Sequence, residues 1–146
     1  MANKVFLKGV HVTGRAVSAD VMIDLDEIRK AELPLKDRSI DEDRPTDKAS
    51  LSLNVSGMSN AFIVKGSQGE KLWNDRLLSI SNFIHIGLPH HPTTLLNPAM
   101  VIAAIRIEQQ GDVRVYNKDG TVDIYKAGDP NTDRVWSALT DSASRI

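Results

Sequence analysis

The sequence predicts an α+β fold that is mainly antiparallel β, with about six to seven strands and two or three short helices, ending in a β-meander followed by a helix. Three observations predict it. Apolar and polar residues alternate over several runs of strand length, glycine-containing turns separate those runs, and Asp129-Pro130 opens a last segment with helical spacing. A chain of 146 residues is read as a single domain, 1–146. Domains commonly hold about 100–150 residues, and at that size a fold buries about two thirds of the surface its unfolded chain exposes.

The first strand runs from Lys4 to Val12, with Val10 and Val12 on one face and His11 on the other. Gly14 turns the chain into a second strand from Arg15 to Ile23. A short helix is expected over residues 25–32. Asp24 and Glu27 have the spacing of a capping box, Leu25 and Ile28 make an apolar stripe, and Pro34 ends the segment. Residues 35–48 hold nine charged side chains. They are expected to form a mobile charged loop, because they bury too little apolar area to offset the entropy of ordering.

Leu51, Leu53 and Val55 alternate with polar residues as a half-buried strand. A turn at Gly57–Asn60 leads to Ala61–Val64, and Gly66–Gly69 forms a second turn. The stretch 70–86 fits two patterns: Trp73, Leu77, Ile80 and Ile84 have helical spacing, whereas Leu78, Ile80, Ile84 and Ile86 suit a strand. It is read as a helix over 70–78 and then a strand over 80–87. Pro89, Pro92 and Pro98 mark an extended connection, since each proline withdraws an amide donor.

The meander occupies residues 97–140 together with its helix. In its first strand Val101, Ala103, Ile105 and Ile107 share a face; Gln110-Gly111-Asp112 turns the chain, and Val113 and Val115 follow. Asp119-Gly120 is a strong hairpin signal ahead of Val122 and Ile124. Asp129 then serves as N-cap with proline at the first helical position, and Val135, Trp136 and Leu139 face the sheet.

Composition narrows the function classes. Eighteen basic and nineteen acidic residues give a net charge of −1, which argues against nucleic acid as a partner, because phosphate neutralisation dominates that affinity. Absence of cysteine removes disulfides, thiol chemistry and Cys-ligated metals. No apolar run is long enough to span a bilayer, and lysines 4 and 8 interrupt any apolar leader. The expected location is cytoplasmic or virion-associated, without secretion and without a membrane partner.

Candidate chemistry falls into two groups. His85, His90 and His91 place three of the four histidines within seven residues, and imidazoles suit several transition metals. His85 and His90 are the candidate ligands, with His11 as a distant third. No His-Glu-x-x-His motif accompanies them, and a proline-bounded loop with exposed imidazoles explains the cluster more simply. Arg44, Phe83, Asn97 and Arg114 form the second group, candidates for a small anionic, nucleotide-like ligand. Arginine forks bind phosphate or carboxylate, a phenyl face stacks, and asparagine reads an amide edge. The simpler account makes Phe83 core, Asn97-Pro98 a turn and both arginines solvated. No nucleophile elbow or phosphate loop is present.

The expectation is therefore a non-catalytic binding or assembly protein, homo-oligomeric through strand edges or sheet packing, of the kind found among phage structural and accessory proteins. Two alternatives stand beside it: sequestration of a small anionic ligand, and a metal-dependent hydrolase built on the histidines. No cofactor is expected. The absence of a coherent catalytic set leans the reading away from an enzyme.

Overall fold

Ten strands form two antiparallel sheets in the computed structural model, which describes residues 3–14, 18–33, 50–88, 91–107, 111–141 and 143–144. The charged segment 35–48 lies outside the described residues, as do residues 89–90 of the histidine-containing stretch. The strands are β1 (Lys4–Val12), β2 (Ser18–Asp24), β3 (Ile28–Glu32), β4 (Ser50–Val55), β5 (Phe62–Lys65), β6 (Ile84–Leu88), β7 (His91–Leu96), β8 (Val101–Arg106), β9 (Val113–Asn117) and β10 (Val122–Tyr125). Two helices accompany them, α1 (Gly66–Asp75) and α2 (Pro130–Asp141). The larger sheet has the order β2-β1-β5-β4-β3-β7-β6, and β10-β9-β8 make the smaller one. Among the described residues no helix is long and apolar enough to cross a membrane.

The α+β, mainly antiparallel architecture and the meander-plus-helix end are as the sequence predicts. The described strands number ten against the expected six to seven, and two of them lie in segments read otherwise. Residues 25–32 do not form a helix. Asp24 does cap a turn, accepting the Asp26 amide, but only the single 3-10 turn Leu25–Glu27 follows before Ile28 goes extended. Pairing with β4 on one side and β7 on the other fixes β3 as a central strand. Two ladders of long-range hydrogen bonds outweigh one local cap. The proline-bounded stretch is likewise a strand, β7, held between β3 and β6. Pro92 sits opposite Gly87 at a bulge beside the hairpin end. The ladder to β3 begins beyond it, where the Leu33 amide donates to the Thr93 carbonyl, so the missing proline amide breaks no bond there.

Strand alternation builds the main core from one face of the large sheet. Val12, Phe62, Leu53, Ala31, Leu95 and His85 form a single cross-strand row over six neighbouring strands. Its four central members belong to the main apolar cluster, which Leu72, Trp73 and Leu77 of the α1 region cover. The next row, on the opposite face, runs His11, Ile63, Ser52, Glu32, Thr94 and Ile86. Leu95 and Leu96 are both fully buried but serve different cores. Leu96, Ile84 and Ile86 face the meander, where Val113, Val115 and Val135 complete a second cluster.

Helix α1 begins at Gly66 rather than near residue 70, because the expected Gly66–Gly69 turn is its first turn. Gly66 takes a left-handed φ of 68° to swing the chain out of β5. Gln68 then donates to the Lys8 carbonyl and accepts from the Lys8 amide, satisfying β1 at its bulge before it reaches β5. This approach is close: a Cβ at Gly69 would stand 2.4 Å from the Val64 carbonyl oxygen.

Gly69→Ala is therefore expected to destabilise the fold by about 1–3 kcal/mol, the usual cost of forcing an added group into a well-packed interior. Urea denaturation followed by tryptophan fluorescence checks it, since Trp73 lies buried in the same helix. An unchanged midpoint would show that helix and strand have room to part.

Candidate functional site

A β-bulge between Ile28 and Lys30 sets the most charged part of the interior. Ile28 and Ala31, three residues apart, both reach the main core, which leaves Arg29 and Lys30 directed together at the meander. Arg29 is 9% exposed. Its Nη1 donates to both carboxylate oxygens of Asp123, at 3.0 and 3.3 Å, and its Nε lies 3.3 Å from Asp119 Oδ2. Lys30 Nζ adds contacts to Asp123 at 3.6 Å and to Glu32 at 3.5 Å. Asn117, also buried, donates from Nδ2 to Asp123 at 3.0 Å and to the Thr121 hydroxyl at 3.1 Å. Its Oδ1 has no hydrogen-bond partner among the described residues.

The field of this cluster shows in two groups. Burial of Asp119 favours its neutral form, but the hydroxyl and amide of Thr121, the Arg29 guanidinium and the Gly57 amide outweigh that and hold its carboxyl below the usual range. Tyr125 moves the other way. Burial, then the Asp123 and Glu32 carboxylates, push its phenol well above the ordinary value, so it stays protonated. The charges here are engaged with one another, and the cluster acts as a lock between the two sheets. Arg29, Asp119 and Asp123 are not among the sequence-predicted site residues, and Asp119 enters there only as a turn residue. The available signal was Asp123, a lone acid between Val122 and Ile124 in a strand.

Of the four sequence-predicted ligand residues, the three that are described do not converge. Phe83 is buried in the main core. Asn97 is buried too, and its side chain is fully engaged: Nδ2 donates to the carbonyls of Asp26 and Ile28, at 3.1 and 2.9 Å, and Oδ1 accepts the Ala99 amide. It caps the turn Pro98–Met100 and ties it to β3. Arg114 is exposed on the outer face of the meander, and Arg44 lies outside the described residues. Of the histidines, His85 is half-buried on β6 and His90 lies outside the described residues. For His91 only the backbone position, opposite Leu88, is described. His11 and His85 occupy rows on opposite faces of the sheet, so His11 does not join His85 as the expected distant ligand. Among the described residues no three His, Cys, Asp or Glu side chains group to hold a metal ion.

Two surfaces remain with binding character. The first is the outer face of the small sheet. A bulge between Val101 and Ala103 shifts β8, so Val101 and Ala104 pack inward while Ala103, Ile105 and Ile107, expected to share a face with Val101, are turned out. Ile105, Arg114 and Ile124 form one cross-strand row, and Ala103, Tyr116 and Val122 the next. Ile102, Ile105, Val122 and Ile124 are 66%, 45%, 44% and 51% exposed. The second is a groove of about 690 Å³ between the β2 edge and the β4–β5 turn, lined by Met22, Asp24, Glu27, Val55, Met58 and Phe62 among others. Comparison with known protein families, characterised proteins and solved structures finds none that matches this chain.

Removing one partner of a buried ion pair strands the other, at a cost of about 3–5 kcal/mol. Arg29→Ala is expected to lose that much in chemical denaturation, and a loss below 1 kcal/mol would contradict the lock. Asp119 supplies the pH dependence. Its folded pKa lies below its unfolded value of about 3.9, so its contribution is complete above that value and is lost as pH falls through the lower one. The stability gap between the native chain and Asp119→Asn should thus narrow below about pH 4. A gap that stays constant from pH 6 to pH 2.5 would remove this assignment.

Proposed function

We propose that this chain is a non-catalytic binding or assembly protein that works by associating with further copies of itself through its exposed sheet surface. The outer face of the small sheet is the observation that supports this reading. Five large aliphatic side chains, Ile102, Ile105, Ile107, Val122 and Ile124, stand exposed on or beside one short meander. Contiguous apolar surface of this sort marks sites of protein association in soluble proteins. The inward side of the same sheet is closed by a packed cluster and an ion-pair lock, which gives the face the rigidity that recognition requires.

Size-exclusion chromatography with light scattering tests the reading over a range of protein concentration. A mass that rises above 16.1 kDa with concentration is expected. A double variant, Ile105→Ser with Ile124→Ser, should lower that mass while leaving the denaturation midpoint almost unchanged, because exposed substitutions usually shift stability by no more than about 0.5 kcal/mol. A strict monomer at millimolar concentration would end the proposal.

A further inference from the structure

The two exposed apolar surfaces differ in charge, and the difference is complementary. On the meander face Arg114 stands on the middle strand, between Ile105 and Ile124, with no hydrogen bond or ion pair to any described residue. Lys118 and Lys126 are exposed just beyond the ends of β9 and β10. No acidic residue alternates onto this face within the three strands. Asp123 points inward to Arg29, and Asp112, past the strand end, accepts the Ala127 amide. The groove beside β2 has the opposite sign. Asp24 and Glu27 line it and Asp26 is exposed between them, with Met22 and Met58, 61% and 46% exposed, at its rim. Lys4, opposite Asp24 in register, offsets part of that charge. The two surfaces lie near each other, since the β4–β5 turn that borders the groove brings the Gly57 amide to Asp119, next to Lys118.

We infer that the basic apolar face of one copy seats on the acidic apolar groove of a second copy, with Arg114 meeting Glu27 and Asp24 of the partner. This rests on the self-association proposed above and specifies its surfaces. Face-to-face stacking of two meanders is the obvious rival, and electrostatics disfavours it, because it sets Arg114 and its neighbouring lysines against their own copies in a partly desolvated contact. Face-on-groove docking instead pairs each cation with an acid and buries Ile105 and Ile124 against Met22, Met58 and Phe62. Area favours a reciprocal arrangement. Strands of four to six residues, rising about 3.3 Å per residue and spaced about 4.8 Å apart, make a face of only roughly 15 by 15 Å. A stable interface buries ~800 Å² per partner. A two-fold dimer in which each copy offers both surfaces doubles the contact and closes the assembly.

Charge reversal tests the pairing on the intact chain. Neither Arg114 nor Glu27 uses its side chain in a hydrogen bond or ion pair with a described residue, so Arg114→Glu and Glu27→Arg should each fold normally, as circular dichroism and the denaturation midpoint will report. Each single variant is expected to raise the self-association Kd, measured by sedimentation velocity, at least tenfold. The variant carrying both reversals should return to within about threefold of the native value, a recovery that only direct complementarity predicts. Native association should also weaken as salt is raised, through screening of these pairs. Association that persists unchanged in both single variants, or that the double reversal fails to restore, would overturn the face-on-groove contact while leaving self-association standing. A native chain that remains monomeric overturns both.

Discussion

Arg29 imposes the constraint from which the rest of the molecule follows. A guanidinium that is nine-tenths buried must be met by negative charge, since the desolvation of an unpaired ion in a protein interior costs several kcal/mol. The carboxylates that meet it, Asp119 and Asp123, come from the hairpin of the meander, 94 positions further along the chain in the case of Asp123. For Asp123 to reach Arg29, β10 must present its acid inward. Side chains alternate along a strand, so Val122 and Ile124 then have to point outward. One ion pair thereby turns the apolar side of β10 toward solvent.

Packing cooperates with that pair. Strand β7 is apolar on both faces, because Leu95 completes the main core while Leu96, beside Ile84 and Ile86 of β6, requires a second cover. The meander supplies it with Val113 and Val115, and α2 adds Val135. Helix α2 is itself fixed at the edge: Asn131 accepts the Gly87 amide, Arg134 donates to the Gly87 carbonyl, and Arg106 pairs with Asp133. The bulge that exposes the Gly87 peptide is thus the point where the helix is pinned. The bulge at Arg29 aims the lock in the same way. In both places an extra residue in a strand re-aims polar groups toward a neighbouring element.

These constraints account for the surface assigned to association. An apolar face on a small sheet is an aggregation hazard unless something covers it. Here the face is rigid, because the lock and the second cluster hold its underside, and it carries Arg114 on its central strand. The groove beside β2 is open because β1 meets β5 at only two positions, His11 and Val12. The β1–β2 hairpin keeps Leu7 and Ile23 in the main core and leaves Met22 exposed beside Asp24. Both surfaces follow from strand pairing, and they differ in the sign of their exposed charge.

The sequence alone determined much of the local structure. Alternation marked most strands, Asp119-Gly120 marked the hairpin, and Asp129-Pro130 marked the start of α2, each through interactions within a few residues. It determined less wherever long-range pairing competed with local preference. Residues 25–32 carry capping chemistry yet enter a central strand, and the proline-rich stretch near 92 becomes an interior strand because its ladder starts one residue past the proline. Of the predicted site residues, Asn97 proved to be a buried capping residue and Phe83 a core residue, roles their simpler reading contained. Arg29, Asp119 and Asp123 were not legible as a group, since nothing local links positions so far apart. Which side of β8 and β10 faces water was decided by tertiary structure only: a single bulge parts Val101 from Ala103, a single ion pair turns Asp123 inward, and neither is encoded in the period of the pattern.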